Sequence, residues 1–338
     1  MIKIKLAILL LFIPFLLSFN PISYDSSYYA KYTSPEGIQF LSYTENWNQS
    51  KLEGLYMELI KNKHGEEIHL LKEIRVRGGG HASNPLITGQ YFSLTNSITL
   101  FNGDTFLEPA EFSGTLSHEY GHHFTYHHLK EHHFPFSSWS KLRGLDHDSI
   151  RWDAFWNYTA SGHMWYPQEI AADDYVLLYG ATKEVQLKDV YSNEAFYRKT
   201  IHDNQKLKNV LENKELQRYL EEVTNISVEE DRYFISPTLN AINENTVNFN
   251  ITPKKNMAYR LNATIHLDEQ EYFQEVLTIT NNDSLNIISF SFAEILKDLP
   301  DSQFVEKIEM NIDVLDLKTS IGLQTETHVI ELNKTVNN

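Results

Sequence analysis

The sequence predicts an α+β domain of about 200 residues followed by an all-β sandwich of about 100. Three observations carry that expectation. Up to about residue 222, helical periodicity (Leu52, Leu55, Tyr56, Leu59) is interleaved with strand-like runs such as Ser97 to Phe101. Beyond Asn225 the pattern changes to short apolar–polar alternation, broken by turns such as Asn281-Asn282-Asp283. Within the first region, His118-Glu119-Tyr120-Gly121-His122 places two imidazoles on one helical face.

Lys3 and Lys5 precede an apolar run from Leu6 to Phe19, too short for a spanning helix of about 20 residues and suited to a secretory leader or N-terminal anchor at 1–20. Residues 50–63 read as a helix, and Ile68 to Val76 as a strand closed by Gly78-Gly79-Gly80. Those glycines form no phosphate loop, since no Gly-Lys-Ser/Thr follows. A second helix runs from about Thr115, with Thr115 or Ser117 as cap, through Leu129; Leu116, Tyr120 and Phe124 form its apolar stripe. Pro167 suits the first turn of a third, buried through Ile170, Ala171, Val176, Leu177 and Leu178. Residues 193–222 are expected to be helical, completing a first domain over 21–225. Val247 to Ile251, Tyr259 to Leu267, Val276 to Ile279, Ile287 to Phe292, Ile308 to Val314 and Val329 to Leu332 supply the strands of a second over 235–338, with a helical turn at Ala293 to Leu296. Short strands at this density suggest an immunoglobulin- or fibronectin-like sandwich.

The chemistry starts from His118 and His122. Four residues apart on a helix, they lie about 6 Å apart and can converge on one metal ion at about 2.0–2.1 Å each. Glu119 is placed to take a proton from a water whose pKa zinc lowers to about 7. The chain contains no cysteine, which argues against a closed structural zinc site. Two candidates could supply a third ligand. Glu169 opens the third helix, with Asp173 one turn later on the same face. One can ligate while the other accepts the free N–H of a ligating histidine. His128, ten residues after His118, is the other. On an unbroken helix it lies about 80° off the ligand face.

His-Glu-x-x-His followed by a glutamate on a later helix, with an acidic residue four positions on, resembles the gluzincin metallopeptidases, the group of thermolysin and anthrax lethal factor. The likeness covers about residues 90–180 and implies a zincin-like catalytic domain in which a substrate-aligning strand lies above the active-site helix. It implies one Zn2+ per chain held by His118, His122 and Glu169, with Glu119 as general base and Asp173 behind the ligands. The rival resemblance is to the metzincins, with His128 as third ligand and Met164, followed by Tyr166, as their methionine turn. There the family's glycine is Thr125, a β-branched residue at a position that needs positive φ. Such peptidases also use a Tyr or His to stabilise the oxyanion; Tyr158, His163 and Tyr166 are the candidates. The pairs His122-His123, His127-His128 and His132-His133 read as an exposed polar helix face followed by a loop at Pro135, and Asp146-His147-Asp148 as turn chemistry.

With a net charge of −16 over 338 residues, nucleic acid is not an expected partner. The expectation is an exported hydrolase, secreted or held at a cell surface by its leader or β-domain, in a bacterial setting because no disulfides are possible. Its substrate would be a protein or peptide. The alternative from another class is a catalytically silent surface-binding or adhesion protein on the same fold.

Overall fold

The computed structural model describes residues 27–145, 160–267, 270–299 and 304–335. The leader, Tyr158 and Asp146 to Asp148 lie outside them. The described chain is mixed α and β, with three sheets. Among the described residues no helix is long and apolar enough to cross a membrane.

The first sheet is built from β1 (Ala30–Thr33), β2 (Gln39–Ser42), β3 (Glu73–Val76), β4 (Gly89–Phe92) and β5 (Ser97–Leu100), in the order β1-β2-β3-β5-β4. β2, β3 and β5 are parallel, with β1 and β4 antiparallel at the two edges. Parallel strands are covered on both faces, and β5 is accordingly buried along its length. The β2–β3 crossover carries α1 (Gln49–Leu59), which buries Leu52, Leu55, Tyr56 and Leu59 and is capped by the Asn48 side chain accepting from Lys51 N–H. The strand expected over 68–76 is shorter. Residues Glu66–Leu70 form a 3-10 turn, because the buried positions are Ile68, Leu71 and Ile74, spaced by three, while Leu70 is exposed.

The motif helix α2 runs Ser113–His128. It continues a 3-10 turn at Pro109–Phe112, so neither Thr115 nor Ser117 caps it. After the short α3 (Ser138–Arg143) comes α4 (Pro167–Tyr179), with Pro167 in its first turn. α2 and α4 pack through aromatic rings, with Phe124 4.7 Å from Tyr175 and 5.5 Å from Tyr179 between centroids. Leu116, Tyr120 and Phe124 are all buried, each contributing about 1.5–3 kcal/mol. The expected long helix over 193–222 is instead broken. α5 (Leu187–Tyr191) and α6 (Glu194–Tyr197) are followed by irregular chain, a 3-10 turn at Val210–Glu212 and then α7 (Lys214–Thr224). The stretch from His202 to Asn209 offers no apolar face with a helical period, and its polar groups bond elsewhere in the protein.

The remaining chain forms two antiparallel sheets. One orders β6 (Thr238–Ile242), β7 (Thr246–Asn250) and β10 (Ile287–Ser291) as β10-β7-β6. The other pairs β8 (Met257–Leu267) with β9 (Glu271–Thr280) and with β11 (Phe304–Asp316). The far edge of β11 is shared by β12 (Gly322–Gln324) and β13 (His328–Thr335). Phe249 of β7 meets His328 of β13 at 5.9 Å, joining the sheets. The expected helical turn is α8 (Phe292–Ile295). The buried apolar cluster runs through both regions, and α5 and α6 pack on β8 and the end of β11 through Val190, Phe196, Ala258 and Leu315.

A carboxylate that nothing in the sequence singles out lies under α2. Glu67 is fully buried; it accepts from Gly65 N–H (3.0 Å), Tyr120 Oη–H (2.8 Å) and His128 Nε2–H (3.0 Å). Burial alone would raise its pKa, but these donors hold it down at about 2. Its stabilising contribution is therefore present above about pH 4.5 and lost as pH falls towards 2. Buried His132 is pushed down to about 3 by desolvation and His133, so its neutral form stabilises above about pH 6.5 and that contribution is lost from there down. Glu67→Ala should destabilise the fold by about 3 kcal/mol, since three donors lose their acceptor. Urea titrations across pH check both groups: Glu67→Ala should lose the slope below about pH 4.5, and His132→Gln the slope between about pH 6.5 and 4.5.

Candidate metal centre

α2 presents His118 and His122 on the face turned to α4, and α4 presents Glu169 in its first turn. The ligand atoms of these three residues lie within 4.8 Å of one another. Glu169 Oε2 is 3.1 Å from His118 Nε2 and 3.3 Å from His122 Nε2. Four donors set tetrahedrally about one ion at about 2.0–2.1 Å are separated by about 3.3 Å. The observed spacings therefore match a shared ion, and the group could hold one.

The helices can come this close because the third residue after His118 has no side chain. A Cβ on Gly121 would stand 2.8 Å from the Ala172 carbonyl oxygen and 3.1 Å from its Cα. Gly121 and Ala172 are thus the contact at which α2 and α4 cross, one turn from the ligands.

Asp173, one turn after Glu169, orients the first histidine. His118 Nδ1–H donates to Asp173 Oδ1 at 2.9 Å, which leaves the Nε2 lone pair aimed at the centre. Asp173 Oδ2 accepts from the Asp203 backbone N–H at 2.8 Å. Burial works against a charged His118, but its contacts with Asp173 and Glu169 outweigh burial and hold its pKa well above the usual value. Burial would likewise raise Glu169, and its bonds to His118 and His122 hold it well below the usual carboxylate range. Electron-rich donors backed by Asp173 call for a cation at this point, either a proton on His118 or a metal ion.

Glu119 lines the same cleft as the three donors. It is 6 % exposed, and burial raises its pKa, with His122 and His118 pulling the other way. The Tyr91 backbone N–H donates to it from β4. β4 crosses directly over α2: a Cβ on Gly89 would stand 2.5 Å from Thr115 Cγ2 and 2.7 Å from Glu119 Cγ. A cleft of about 620 Å3 follows, lined on one wall by Gly89, Gln90 and Tyr91 and on its floor by His118, Glu119, His122 and Glu169. The strand expected to overlie the motif helix was Ser97 to Phe101. Those residues form inner strand β5, and the cleft is bounded instead by the edge strand β4, which is four half-buried residues without alternation.

His128 is not brought to this group. α2 runs unbroken through Thr125, whose Oγ1–H donates to the His122 carbonyl, and carries His128 round to Glu67. The Met164 carbonyl accepts from Asn204 Nδ2–H. Of the oxyanion candidates, His163 lines the cleft, with its side chain 58 % exposed and Nε2 3.6 Å from Glu169 Oε1. Tyr166 is buried with its ring against His163.

The paired histidines are not an exposed face. His122, His123 and His132 are buried, and His127, His128 and His133 half-buried. His123 Nε2–H donates to the Glu67 carbonyl at 2.8 Å, and His132 Nδ1–H to the Leu129 carbonyl at 2.6 Å. Among the described residues they form no second metal group. Tyr91, a residue that sequence reasoning passed over, stacks on His122 with 9° between rings and donates its hydroxyl to Asn96 at 2.8 Å. Burial, helped by Tyr126, pushes that hydroxyl up to about 12, so it stays protonated.

Comparison of the chain with protein-family models, with curated proteins and with solved structures gave no match.

Proposed function

We propose that the chain is an exported zinc-dependent endopeptidase of gluzincin type. One observation carries this reading: three metal-ligating side chains with Glu119 buried beside them, on the floor of a cleft walled by an antiparallel edge strand. His118, His122 and Glu169 hold the zinc, and Asp173 fixes the tautomer of His118. A zinc ion bound there supplies a Lewis acid for the scissile carbonyl and lowers the pKa of the attacking water.

The other steps belong to side chains. β4 is the last strand of its sheet among the described residues, and its outer backbone groups, apart from the Tyr91 N–H that Glu119 accepts, can align an extended peptide through hydrogen bonds. Glu119, held by Tyr91 N–H and raised by burial, accepts the proton of the water and passes it to the leaving amine. His163, at the mouth of the cleft, donates to the developing oxyanion. The C-terminal sheets form an immunoglobulin-like sandwich, and Lys3, Lys5 and Leu6 to Phe19 form the export leader.

The test is hydrolysis of a broad peptide library by the full chain. Internal cleavage abolished by a chelator and restored by zinc is the expected result. A protein that binds zinc yet cleaves nothing at any metal loading would be a binding module instead.

A further inference from the structure

Asp173 is held from two sides, and only one of them is the metal centre. Its second oxygen is fixed by the N–H of Asp203, in a strap that runs from Lys199 to Asn204. The strap has almost no secondary structure of its own, so its path has to be imposed by what it touches. At one end it is bound to the C-terminal region. Thr200 N–H donates to the Ser320 carbonyl and Gly322 N–H to the Thr200 carbonyl, both at 2.8 Å, forming a parallel bridge to Ile321. Beside it Lys199 Nζ reaches Asp313 Oδ1 at 2.8 Å, and Asp313 is itself buried and held by Arg260 at 2.6 Å. At the other end His202 and Asn204 are buried against the catalytic region. Asn204 Nδ2–H donates to the Met164 carbonyl, and His202 Nε2 lies 3.4 Å from Asp174 Oδ1.

We propose that the C-terminal sheets are the template that sets the register of residues 199–204, making Asp203 a positioning residue for the metal centre. Metal affinity is then tuned from the second region by Gly322 and Asp313. This inference rests on the metal-site reading above. Its physical basis is the two-point grip on Asp173. A carboxylate that accepts from Asp203 on one oxygen keeps its other oxygen in line with His118 Nδ1–H, and loss of such outer contacts weakens a metal site about 10–100-fold. Gly322 is where the template touches the strap: a Cβ there would meet the Val314 carbonyl oxygen at 2.5 Å and Lys199 Cδ at 2.7 Å.

Zinc competition titrations on full-length protein test this, using wild type, Gly322→Ala, Lys199→Ala, Lys199→Arg and Asp203→Pro. Asp203→Pro deletes the N–H itself. The expected result is about 10–100-fold weaker zinc binding in Gly322→Ala, Lys199→Ala and Asp203→Pro. Lys199→Arg keeps the ion pair and should stay near wild type. The proton resonance of the His118 Nδ1–H···Asp173 bond, followed in the metal-free proteins, should weaken in the same three variants, a change that a purely structural role for the sheets would not produce. If Gly322→Ala does not fold, Lys199→Ala carries the test alone. Folded variants that bind zinc as wild type does, with that resonance unchanged, would overturn the proposal. Wild-type protein that binds no zinc would overturn the underlying reading of the site instead, so the two failures are distinguishable.

Discussion

Glu119→Gln should lower peptide hydrolysis by about 10²–10⁴-fold while leaving zinc bound at wild-type stoichiometry. The separation follows from geometry. Glu119 contributes no atom to the three-residue donor group, so its removal leaves the metal contacts intact. The amide is nearly isosteric and can still accept from Tyr91 N–H, so the floor of the cleft keeps its shape. What disappears is the group that can hold and return a proton. Because Glu119 is buried and its pKa raised, substitution by a neutral amide also removes a poorly solvated charge, and the metal-free protein should be no less stable. Initial rates on a cleaved library peptide, read alongside metal analysis of the same sample, check both halves. Undiminished turnover would sink the assigned mechanism.

Gly121→Ala should damage the centre without touching a ligand. In an ordinary helix interior this change favours folding by up to about 1 kcal/mol. Here the new Cβ meets the Ala172 backbone, which cannot swing away as a side chain could. Overpacking of this kind costs about 1–3 kcal/mol, and relief requires α4 to move outward with Glu169 and Asp173 on it. A shift of about 0.5 Å already takes a site out of its working geometry. Zinc affinity should therefore fall at least about tenfold. Gly114→Ala on the same helix is the control, because its Cβ meets nothing within 4 Å. It should leave zinc binding unchanged and be neutral or slightly stabilising. Equal zinc affinity in the two variants would show that the α2–α4 approach does not set the site.

Much of the site was legible because its parts are local. The spacing of His118, Glu119 and His122, and of Glu169 and Asp173, is a property of two helices, and both helices form where their apolar faces predict. The C-terminal strands were legible for a similar reason: alternation in Val247 to Ile251 marks one buried face, whereas in Tyr259 to Leu267 it located the strand but not its burial, since Arg260 and Asn262 on the polar side are buried too. Glu67 was not, since its partners Tyr120 and His128 are distant in sequence and no pattern announces a buried carboxylate. The edge strand Gly89–Phe92 escaped because all four residues are half-buried and show no alternation. The strap at 199–204 was hidden because its order comes from β-region backbone more than a hundred residues later.

Metal stoichiometry of the protein lacking residues 1–20, measured in wild type, Glu169→Ala and His128→Ala, identifies the third ligand. One zinc per chain is expected in wild type and in His128→Ala, with zinc lost in Glu169→Ala. His128 should behave as a structural partner of Glu67, so its replacement lowers stability and leaves metal in place. Zinc retained in Glu169→Ala and lost in His128→Ala would rule out the His118, His122 and Glu169 centre, because it would place the third ligand on the side of α2 that faces Glu67.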